Sequence, residues 1–135
     1  MTNLTPKVSI ILPSLNVIEY IEECLSSVCK QTLKEIEIIC VDAGSTDGTL
    51  EKIKDFALKD DRIKILVADK KSYGYQMNLG IDNANGKYVG IVETDDYVCE
   101  NMYEDLYNIA EANHLDFIKA DFYRFNHLSL IHISE

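Results

Sequence analysis

The stretch "KVSIILPSLNVIEYIEECLSSVCK" (Lys7–Lys30) changes from one hydrophobic periodicity to another part-way along. Its first part, Lys7–Pro13, is a nearly continuous apolar run, which predicts a buried β-strand that ends at the proline. Over about Val17–Lys30 the apolar side chains instead recur every three or four residues. This spacing predicts an amphipathic helix, with Asn16 as its N-cap.

The same order of strand and helix recurs along the chain. Further strands are predicted at Glu35–Val41, Arg62–Ala68, Gly86–Thr94 and Asp116–Phe125. Further helices are predicted after the turn that follows Val41, at about Tyr73–Asn83, and at Asn101–Asn113. Because the strands are near-continuous apolar runs that alternate with helices, the sequence predicts an α/β fold, a mostly parallel sheet with helices on both faces.

The composition is that of an ordinary globular domain. The chain has 135 residues, of which 47% are hydrophobic and 27% charged. That length suits one domain. The 13 basic and 23 acidic residues give a formal net charge of 13 − 23 = −10. A surface this acidic does not hold a bare phosphate backbone, so nucleic acid is excluded as an expected partner.

The cysteines and the hydropathy pattern bear on the compartment. The four cysteines are scattered, with no CxxC pair, and Cys24 and Cys40 lie within apolar patterns that predict buried, reduced thiols. No signal peptide precedes the first strand, and the longest apolar run is far shorter than a membrane span. We therefore expect a cytoplasmic domain.

Polar residues, accompanied after the first strand by Pro13, follow each of the first four predicted strands. They are Pro13, Asn16 and Glu19 after the first, Asp42, Ser45 and Asp47 after the second, Asp69 and Lys70 after the third, and Glu93, Asp95 and Asp96 after the fourth. Any one of them fits an ordinary solvated loop. In parallel sheets, however, ligands bind beyond the carboxyl ends of the strands, so four such ends in succession indicate a binding site.

The turn "DAGSTDGT" (Asp42–Thr49) has a structural and a functional interpretation. Gly44 and Gly48 permit tight turns, and a polar side chain at positions 45–47 can cap the next helix. Asp42 is not needed for that cap, because it lies at the tip of the strand. Its carboxylate could accept hydrogen bonds from a nucleobase or a ribose hydroxyl.

The segment "GIVETDDYV" (Gly90–Val98) places Glu93, Asp95 and Asp96 within four residues. A solvated acidic loop, a general acid–base pair and a divalent-cation site all fit this cluster. The chain offers no nucleophile in a recognisable arrangement with it, which counts against acid–base chemistry. Mg²⁺ or Mn²⁺, held by one or two carboxylates and substrate phosphates, would cancel the repulsion and supply the positive charge that the chain lacks.

Four blocks of this sequence resemble the inverting family 2 glycosyltransferases, whose nucleotide-sugar-binding domain has the Rossmann-like GT-A fold. The blocks are "VSIILPSLNVIEYIEECLSSV", "IEIICVDAGSTDGT", "YGYQMNLGIDNANGKYV" and "VETDDYV", which together extend over about Lys7–Val98. The resemblance implies the N-terminal, nucleotide-sugar-binding part of a metal-dependent transferase, with the domain incomplete at its C-terminus.

The resemblance also implies roles for individual residues. The nucleotide-binding residues would be Pro13, Asn16, Glu19, Asp42, Ser45, Asp47 and Asp95. Among them, Asp42 would bond the base, usually uracil, and Asp95 would face the ribose or sugar. Asp96 would be the more direct ligand of Mn²⁺ or Mg²⁺, with Asp95 beside it and Glu93 at the first acidic position of the family's DXD-like motif.

The sequence departs from the family pattern in two places. The family commonly has Ala-Arg-Asn where this chain has Gln76, Met77 and Asn78, so an arginine near the diphosphate is missing. Lys70 or Lys71 could substitute for it, and packing in the helix is the simpler interpretation of Met77. The family's catalytic base comes from a later loop, so we expect the base to be absent from this chain and the chain alone to be inactive.

The last eight residues, "LSLIHISE" (Leu128–Glu135), match one reading frame of a common transposase sequencing adaptor. We interpret them as a non-native tail and assign residues 1–127 to the nucleotide-sugar-binding part. A genuine short strand that continues the sheet is the alternative. Codons that differ from the adaptor in the nucleotide sequence would contradict the tail interpretation.

The sequence therefore predicts a glycosyltransferase part that binds a nucleotide-sugar donor, expected to be UDP-linked. The acceptor would be a saccharide or a lipid-linked saccharide, as in surface polysaccharide synthesis. Two other functions remain open. One is a receiver-like phosphoacceptor domain, although its acidic pair should follow the first strand, where this chain has "PSLN". The other is a non-catalytic nucleotide-binding remnant.

Overall fold

The computed structural model describes residues 5–114, 119–122 and 131–134. The strands are β1 (Val8–Ser14), β2 (Ile36–Asp42), β3 (Ile63–Val67), β4 (Tyr88–Ile91), β5 (Lys119–Phe122) and β6 (Ile131–Ser134). The helices are α1 (Ile18–Cys29), α2 (Thr49–Lys59), α3 (Tyr73–Asp82) and α4 (Met102–Ala112). Each predicted strand and helix overlaps an observed one.

The main sheet has four parallel strands in the order β3-β2-β1-β4. Val8 at the start of β1 lies beside Ile36 of β2 and beside Tyr88 of β4. Every residue of β1 and β2 is buried, because each of these strands has a neighbour on both sides. The predicted parallel α/β architecture is confirmed.

Two hydrophobic clusters cover opposite faces of this sheet. On one face, Ile10 and Leu12 of β1 pack with side chains of α1, α2 and α4. On the other face, Ile11 of β1 and Ile39 of β2 pack with side chains of α3. Helices therefore lie on both faces, as predicted.

Two helices approach the sheet at glycines. A Cβ atom on Gly80 of α3 would lie 2.7 Å from Cγ2 of Ile11 on β1. A Cβ atom on Gly90 of β4 would lie 2.5 Å from Cε1 of Tyr103 on α4. Because packed interiors leave no room for such contacts, the present spacing of α3 and α4 from the sheet requires glycine at both positions.

The outer strands are less buried than the apolar runs predicted. β3 and β4 form the two edges of the main sheet, and in β4 both Val89 and Ile91 are exposed, at 43% and 38%. The burial that an apolar run indicates is thus incomplete for these two strands. The reason is that an edge strand has one neighbour, and in β4 the residues that alternate with Val89 and Ile91 pack against α4.

β5 and β6 pair with each other in a separate antiparallel sheet. Eight residues separate them in sequence, which is too few for a parallel crossover and suits antiparallel pairing. β6 falls within the stretch interpreted as a non-native tail. The proposed boundary between residues 127 and 128 lies outside the described residues, so the tail remains a prediction.

The two cysteines in apolar patterns are placed as the sequence predicted. Cys24 and Cys40 are buried free thiols, as predicted, and burial together with the nearby Asp96 and Asp95 raises the pKa of Cys24 to about 12. Within the described part of the chain, no helix combines the length and the apolar character needed to cross a membrane.

Candidate functional site

The carboxyl ends of β1, β2 and β4 lie side by side along one edge of the main sheet. This edge is formed by strand ends and is distinct from the outer strands β3 and β4. Ser14, the last residue of β1, lies beside Asp42, the last residue of β2. Beyond β4 the alignment continues, because the Val92 N–H donates to the Ile11 carbonyl (3.0 Å). One step further, the buried Thr94 hydroxyl donates to the Pro13 carbonyl (2.9 Å). The predicted site residues after these strands are therefore brought to the same edge.

Asp42 is fully buried and its carboxylate is occupied by the chain itself. Oδ1 accepts from the hydroxyls of Ser14 (2.9 Å) and Ser45 (2.6 Å). Oδ2 accepts from the backbone N–H groups of Gly44 (3.0 Å) and Ser45 (2.8 Å). A carboxylate has about four acceptor positions, so contact with a nucleobase would require one of these bonds to be exchanged. The role of Asp42 toward a base stays a prediction, whereas its role in shaping the β2–α2 loop is observed.

Gln76 lies directly behind this pair of strand ends. Its side-chain Nε2 donates to the carbonyls of Ser14 (3.0 Å) and Val41 (2.9 Å), and the residue is only 5% exposed. The sequence interpretation missed this role, because it treated position 76 only as part of a missing arginine motif. The available signal was the spacing of four residues to Gly80, which places both on the buried face of α3.

Asn16 connects the β1–α1 loop to the β2–α2 loop. Its backbone N–H donates to the Ser45 hydroxyl (2.8 Å), and its Oδ1 accepts from the Thr46 N–H (2.8 Å). The prediction that Asn16 is the N-cap of α1 is wrong, since Val17 occupies that position. Asn16 has a left-handed backbone (φ +53°), and its side-chain oxygen bonds the neighbouring loop.

Asp47 performs the capping that was expected of Asn16, but from the other loop. Its Oδ2 accepts from the Ile18 N–H at the start of α1 (3.1 Å). Its Oδ1 accepts from the N–H (3.0 Å) and hydroxyl (2.6 Å) of Thr49 at the start of α2. The Thr49 hydroxyl in turn accepts from the Val17 N–H (2.9 Å). We call residues 16–18 and 45–49, with these bonds, the loop clasp.

The remaining predicted nucleotide-binding residues flank the loop clasp. Pro13 is buried near the end of β1, and Glu19 is exposed in the first turn of α1. The bonds of Asp47 also change its acidity. The Thr49 hydroxyl, assisted by the backbone N–H of Ile18, lowers the pKa of the Asp47 carboxyl.

The acidic turn, residues 93–96, follows directly on the extension of β4. The Asp96 N–H donates to the Glu93 carbonyl (2.9 Å), which closes the turn. Glu93 and Asp95 are exposed, and Asp96 is half-buried. The Cys24 thiol of α1 also approaches the Glu93 carbonyl, at 3.8 Å.

Helix α1 also holds the segment that follows the acidic turn. The Ser27 hydroxyl accepts from the Val98 N–H (3.1 Å), and the buried Gln31 amide donates to the Cys99 carbonyl (2.7 Å). The Gln31 Oε1 accepts from the Tyr103 N–H (3.0 Å) at the start of α4. Ser27 of α1 and Gln31, two residues beyond the end of α1, therefore set the course of the chain from the acidic turn to α4.

Tyr73, the first residue of α3, reaches the acidic turn from the other face of the sheet. Its hydroxyl donates to Oε2 of Glu93 at 2.7 Å. Burial, together with the hydrogen bond and charge of Glu93, raises the pKa of Tyr73 to about 12. The contact is not predictable from the sequence, because nothing in the local pattern links residues that are 20 positions apart.

The acidic turn provides the donors expected of a divalent-cation site, although not a complete set. Within the described residues, no group of three or more His, Cys, Asp or Glu side chains is arranged to hold a metal ion. Asp95 and Asp96 are adjacent carboxylates, which are hard oxygen donors that suit Mg²⁺ or Mn²⁺. They fit a cation whose other ligands are waters and substrate phosphates, as these ions commonly have.

The β3–α3 loop reaches the same edge, since the Ala68 N–H donates to the Asp42 carbonyl (2.7 Å). Lys70 in this loop is exposed, with its Nζ 5.1 Å from the ring centre of Tyr75. Met77 packs in the hydrophobic cluster under α3, which confirms the packing interpretation for this residue. A contact between Lys70 or Lys71 and a diphosphate stays a prediction.

Comparison with known proteins identifies the family. Residues 9–129 match the family model described as "Glycosyl transferase family 2". The chain belongs to glycosyltransferase family 2. The predicted resemblance is thus confirmed, and membership in this family argues against the receiver-like alternative.

Named relatives agree with this membership. The chain is 41% identical over 121 residues to the uncharacterized glycosyltransferase EpsJ of Bacillus subtilis, a match that covers 90% of this chain and 35% of EpsJ. It is 38% identical over 120 residues to the glycosyltransferase GlyG of Streptococcus pneumoniae, covering 88% of this chain and 40% of GlyG. The chain therefore spans well under half the length of these relatives.

Solved structures of similar fold include a crystal structure of S. aureus TarS in complex with UDP. Its TM-score with this chain is 0.75 at 30% identity, and the match covers 80% of this chain and 33% of the TarS chain. The mannosyltransferase PcManGT from Pyrobaculum calidifontis, in complex with GDP-Man and Mn²⁺, has a TM-score of 0.64 at 25% identity and covers 71% of this chain and 29% of PcManGT. The main sheet and its helices thus have the GT-A glycosyltransferase fold.

Proposed function

We propose that this chain forms the donor-binding part of an enzyme that transfers a sugar from a nucleotide-sugar to an acceptor hydroxyl. The donor is UDP-linked, and the sugar is transferred with inversion at the anomeric carbon. The observation that carries the proposal is the meeting of the Asp42 loop and the acidic turn at one sheet edge in a family 2 chain. TarS, which is similar in fold, has been crystallised with UDP and with UDP-GlcNAc.

The nucleotide lies beside the loop clasp in this proposal. Pro13, Asn16 and Glu19 flank the nucleotide on one side, and Asp42, Ser45 and Asp47 flank it on the other. Because the clasp bonds fix both loops before any ligand arrives, little ordering entropy opposes binding. The hydroxyl, amide and carboxylate groups of these residues suit the hydrogen-bonding edge of a base and the ribose hydroxyls, with one of the present bonds of Asp42 exchanged for a bond to the base.

The diphosphate lies beside the acidic turn. Asp96 is the direct ligand of Mn²⁺ or Mg²⁺, and Asp95 faces the ribose or sugar and assists at the metal. The bound ion supplies Lewis-acid stabilisation of the departing nucleoside diphosphate. The fold neighbour PcManGT, in complex with GDP-Man and Mn²⁺, supports a divalent ion at such a site. The net charge of −10 supports it as well, because an anionic donor needs a local cation here.

The remaining parts of the reaction lie with the longer enzyme. We assign no catalytic base to the described residues and expect this chain alone to bind the donor without transferring the sugar. The acceptor is a saccharide or lipid-linked saccharide on the cytoplasmic side of the membrane, in surface polysaccharide synthesis. These statements rest on the family, since a fold by itself does not determine a reaction.

Calorimetric titration with UDP, in the presence and absence of Mn²⁺, tests this proposal. We expect binding only with Mn²⁺, and we expect Asp96→Asn to weaken it by at least about tenfold, because a metal-ligating carboxylate is lost. Asp55→Asn, which changes an exposed carboxylate on α2, is the matched control and should bind like the wild type. Absence of UDP binding by the wild-type chain with Mn²⁺ would instead favour another ligand or a folded remnant that binds no nucleotide.

A further inference from the structure

Glu93 is bonded both through its side chain and through its backbone carbonyl. Its carboxylate accepts the Tyr73 hydroxyl at 2.7 Å, and its carbonyl accepts the Asp96 N–H at 2.9 Å. A single residue thus connects α3 to the backbone of Asp96. Nothing in the proposed roles of Asp95 and Asp96 accounts for the tyrosine.

We propose that Tyr73 is a positioning residue of the metal–diphosphate site, and that Glu93 is its anchor rather than a metal ligand. This inference rests on the function proposed above. The phenol holds the first residue of the acidic turn against α3. The turn that presents Asp96 is thereby fixed before a metal or a nucleotide binds.

The two ends of this bond lie on well-supported elements. Tyr73 begins α3, which is held on the sheet by the Gln76 amide and by the close contact between Gly80 and Ile11. Glu93 follows Val92, whose N–H still pairs with β1. Because both Tyr73 and Glu93 are held on the sheet, the hydrogen bond between them limits the movement of the acidic turn. Residues around a metal site orient its ligands in this way.

The Tyr73–Glu93 hydrogen bond also gives Glu93 a different role from Asp95 and Asp96. Carboxylates this close repel one another, and a hydrogen-bond donor stabilises the charged form of the carboxylate that it contacts. The neutral phenol donates one hydrogen bond and carries no charge of its own, so it satisfies Glu93 without attracting the cation. Asp95 and Asp96 then supply the charge that the cation neutralises.

Three substitutions distinguish an anchor from a ligand. Tyr73→Phe removes only the hydroxyl and should weaken Mn²⁺-dependent UDP binding by about three- to tenfold, as the loss of one positioning hydrogen bond predicts. Glu93→Gln keeps an oxygen that can accept the hydrogen bond from the phenol. Its Mn²⁺-dependent affinity for UDP should stay within about threefold of the wild type. Asp96→Asn should lose at least about tenfold. If Glu93→Gln were as damaging as Asp96→Asn, Glu93 would be a ligand and the proposal would be wrong.

Tyr75→Phe is the matched control. Tyr75 lies in the same turn of α3, and its hydroxyl bonds the carboxylate of Asp69 instead of the acidic turn. Both Tyr→Phe variants should unfold at nearly the same urea concentration, so a difference in UDP affinity would report on positioning and not on stability. Equal UDP affinity in the two variants would overturn the proposal.

A ligand-free measurement separates this inference from the proposed function. Amide hydrogen exchange of Asp96 should be faster in Tyr73→Phe by about three- to tenfold and unchanged in Tyr75→Phe, because the turn opens more often. Unchanged exchange in Tyr73→Phe would refute the anchor even if the wild type binds UDP. Faster exchange in a chain that does not bind UDP would keep the anchor and reject the donor site.

Discussion

Glu37 on β2 is a carboxylate at the end of the strand opposite to Asp42, and it is only 4% exposed. It accepts from the Ser9 hydroxyl (2.6 Å) and from the N–H (2.9 Å) and amide (3.1 Å) of Asn85, and it forms an ion pair with Lys64. Burial alone would raise the pKa of Glu37. The bonds from Lys64, Ser9 and Asn85 outweigh burial and lower it to about 2.

These bonds predict how the free energy of unfolding depends on pH. Because the pKa of Glu37 falls from its ordinary 4.5 to about 2 on folding, its contribution is complete above pH 4.5 and is lost as the pH falls through 2. Glu37→Gln should therefore lower stability at pH 7 by on the order of 2 kcal/mol, since half-exposed Lys64 is partly screened. Urea unfolding at pH 7, 4.5 and 2.5 measures this.

The difference between wild type and Glu37→Gln should shrink toward pH 2.5. Asp60, whose carboxyl pKa is lowered chiefly by its hydrogen bond with Arg62, titrates in both proteins and cancels in the comparison. Glu35→Gln, at an exposed position next to β2, is the control and should leave the profile unchanged. A constant difference at all three pH values would contradict the role given to Glu37.

Residue types at the sheet edge were predictable, but their partners were not. Asp42, Ser45 and Asp47 stand at strand and helix ends where sequence patterns indicate capping or binding. Which of them caps which helix depends on the distance between two loops about 30 residues apart in sequence. The wrong N-cap at Asn16 and the missed contact of Tyr73 share a cause, because each depends on the distance between segments that are far apart in sequence.

At the scale of elements, the packing of α3 on β1 depends on the absence of a side chain at Gly80. Alanine favours a helix by about 1 kcal/mol over glycine. At Gly80 the added Cβ would instead meet Ile11 at 2.7 Å. We expect Gly80→Ala to destabilise the protein by about 1–3 kcal/mol, because overpacking outweighs helix propensity. Urea unfolding measures the change.

Gly74 offers the matched control within the same helix. A Cβ there meets nothing within 4 Å, so Gly74→Ala should be neutral or stabilise by up to about 1 kcal/mol. Ile11→Ala removes Cγ2, so it should cost less in the Gly80→Ala background than in the wild type, because it also removes the clash. Equal effects at the two glycines would show that the contact with β1 does not limit the position of α3.

Element types and their order were predictable, because hydrophobic periodicity depends only on nearby residues. The same local rule overstated the burial of β3 and β4. An apolar run such as the one around Val89 looks the same in a central strand and in an edge strand. The difference lies in the number of neighbouring strands, which the sheet order β3-β2-β1-β4 determines.

At the scale of the whole molecule, β4 is the outermost of the described strands of the main sheet on its side, and it exposes apolar side chains. Val89 and Ile91 are 43% and 38% exposed in a chain of net charge −10 and pI about 4.7. Charge repulsion keeps such chains apart at neutral pH and vanishes near the pI. Edge strands with apolar side chains then favour pairing between molecules.

We therefore predict that the chain associates reversibly near pH 4.7 and that Val89→Lys reduces this association. A lysine on an edge strand opposes edge-to-edge pairing. Leu58→Lys adds the same charge on α2, where Leu58 is 87% exposed, and serves as the control. Light scattering at matched charge should separate the two variants. If both reduced association equally, net charge alone would explain it.

The loop clasp has a consequence for how such chains can be recombined. Asp47 and Thr49 accept hydrogen bonds from the N–H groups at the start of α1. The β1–α1 loop and the β2–α2 loop therefore cannot be exchanged independently. A crossover between relatives that falls between residues 18 and 45 would unite loops with unmatched partners. If the proposed donor site is correct, exchanging loops between homologues should transfer the donor preference only when both loops are exchanged together.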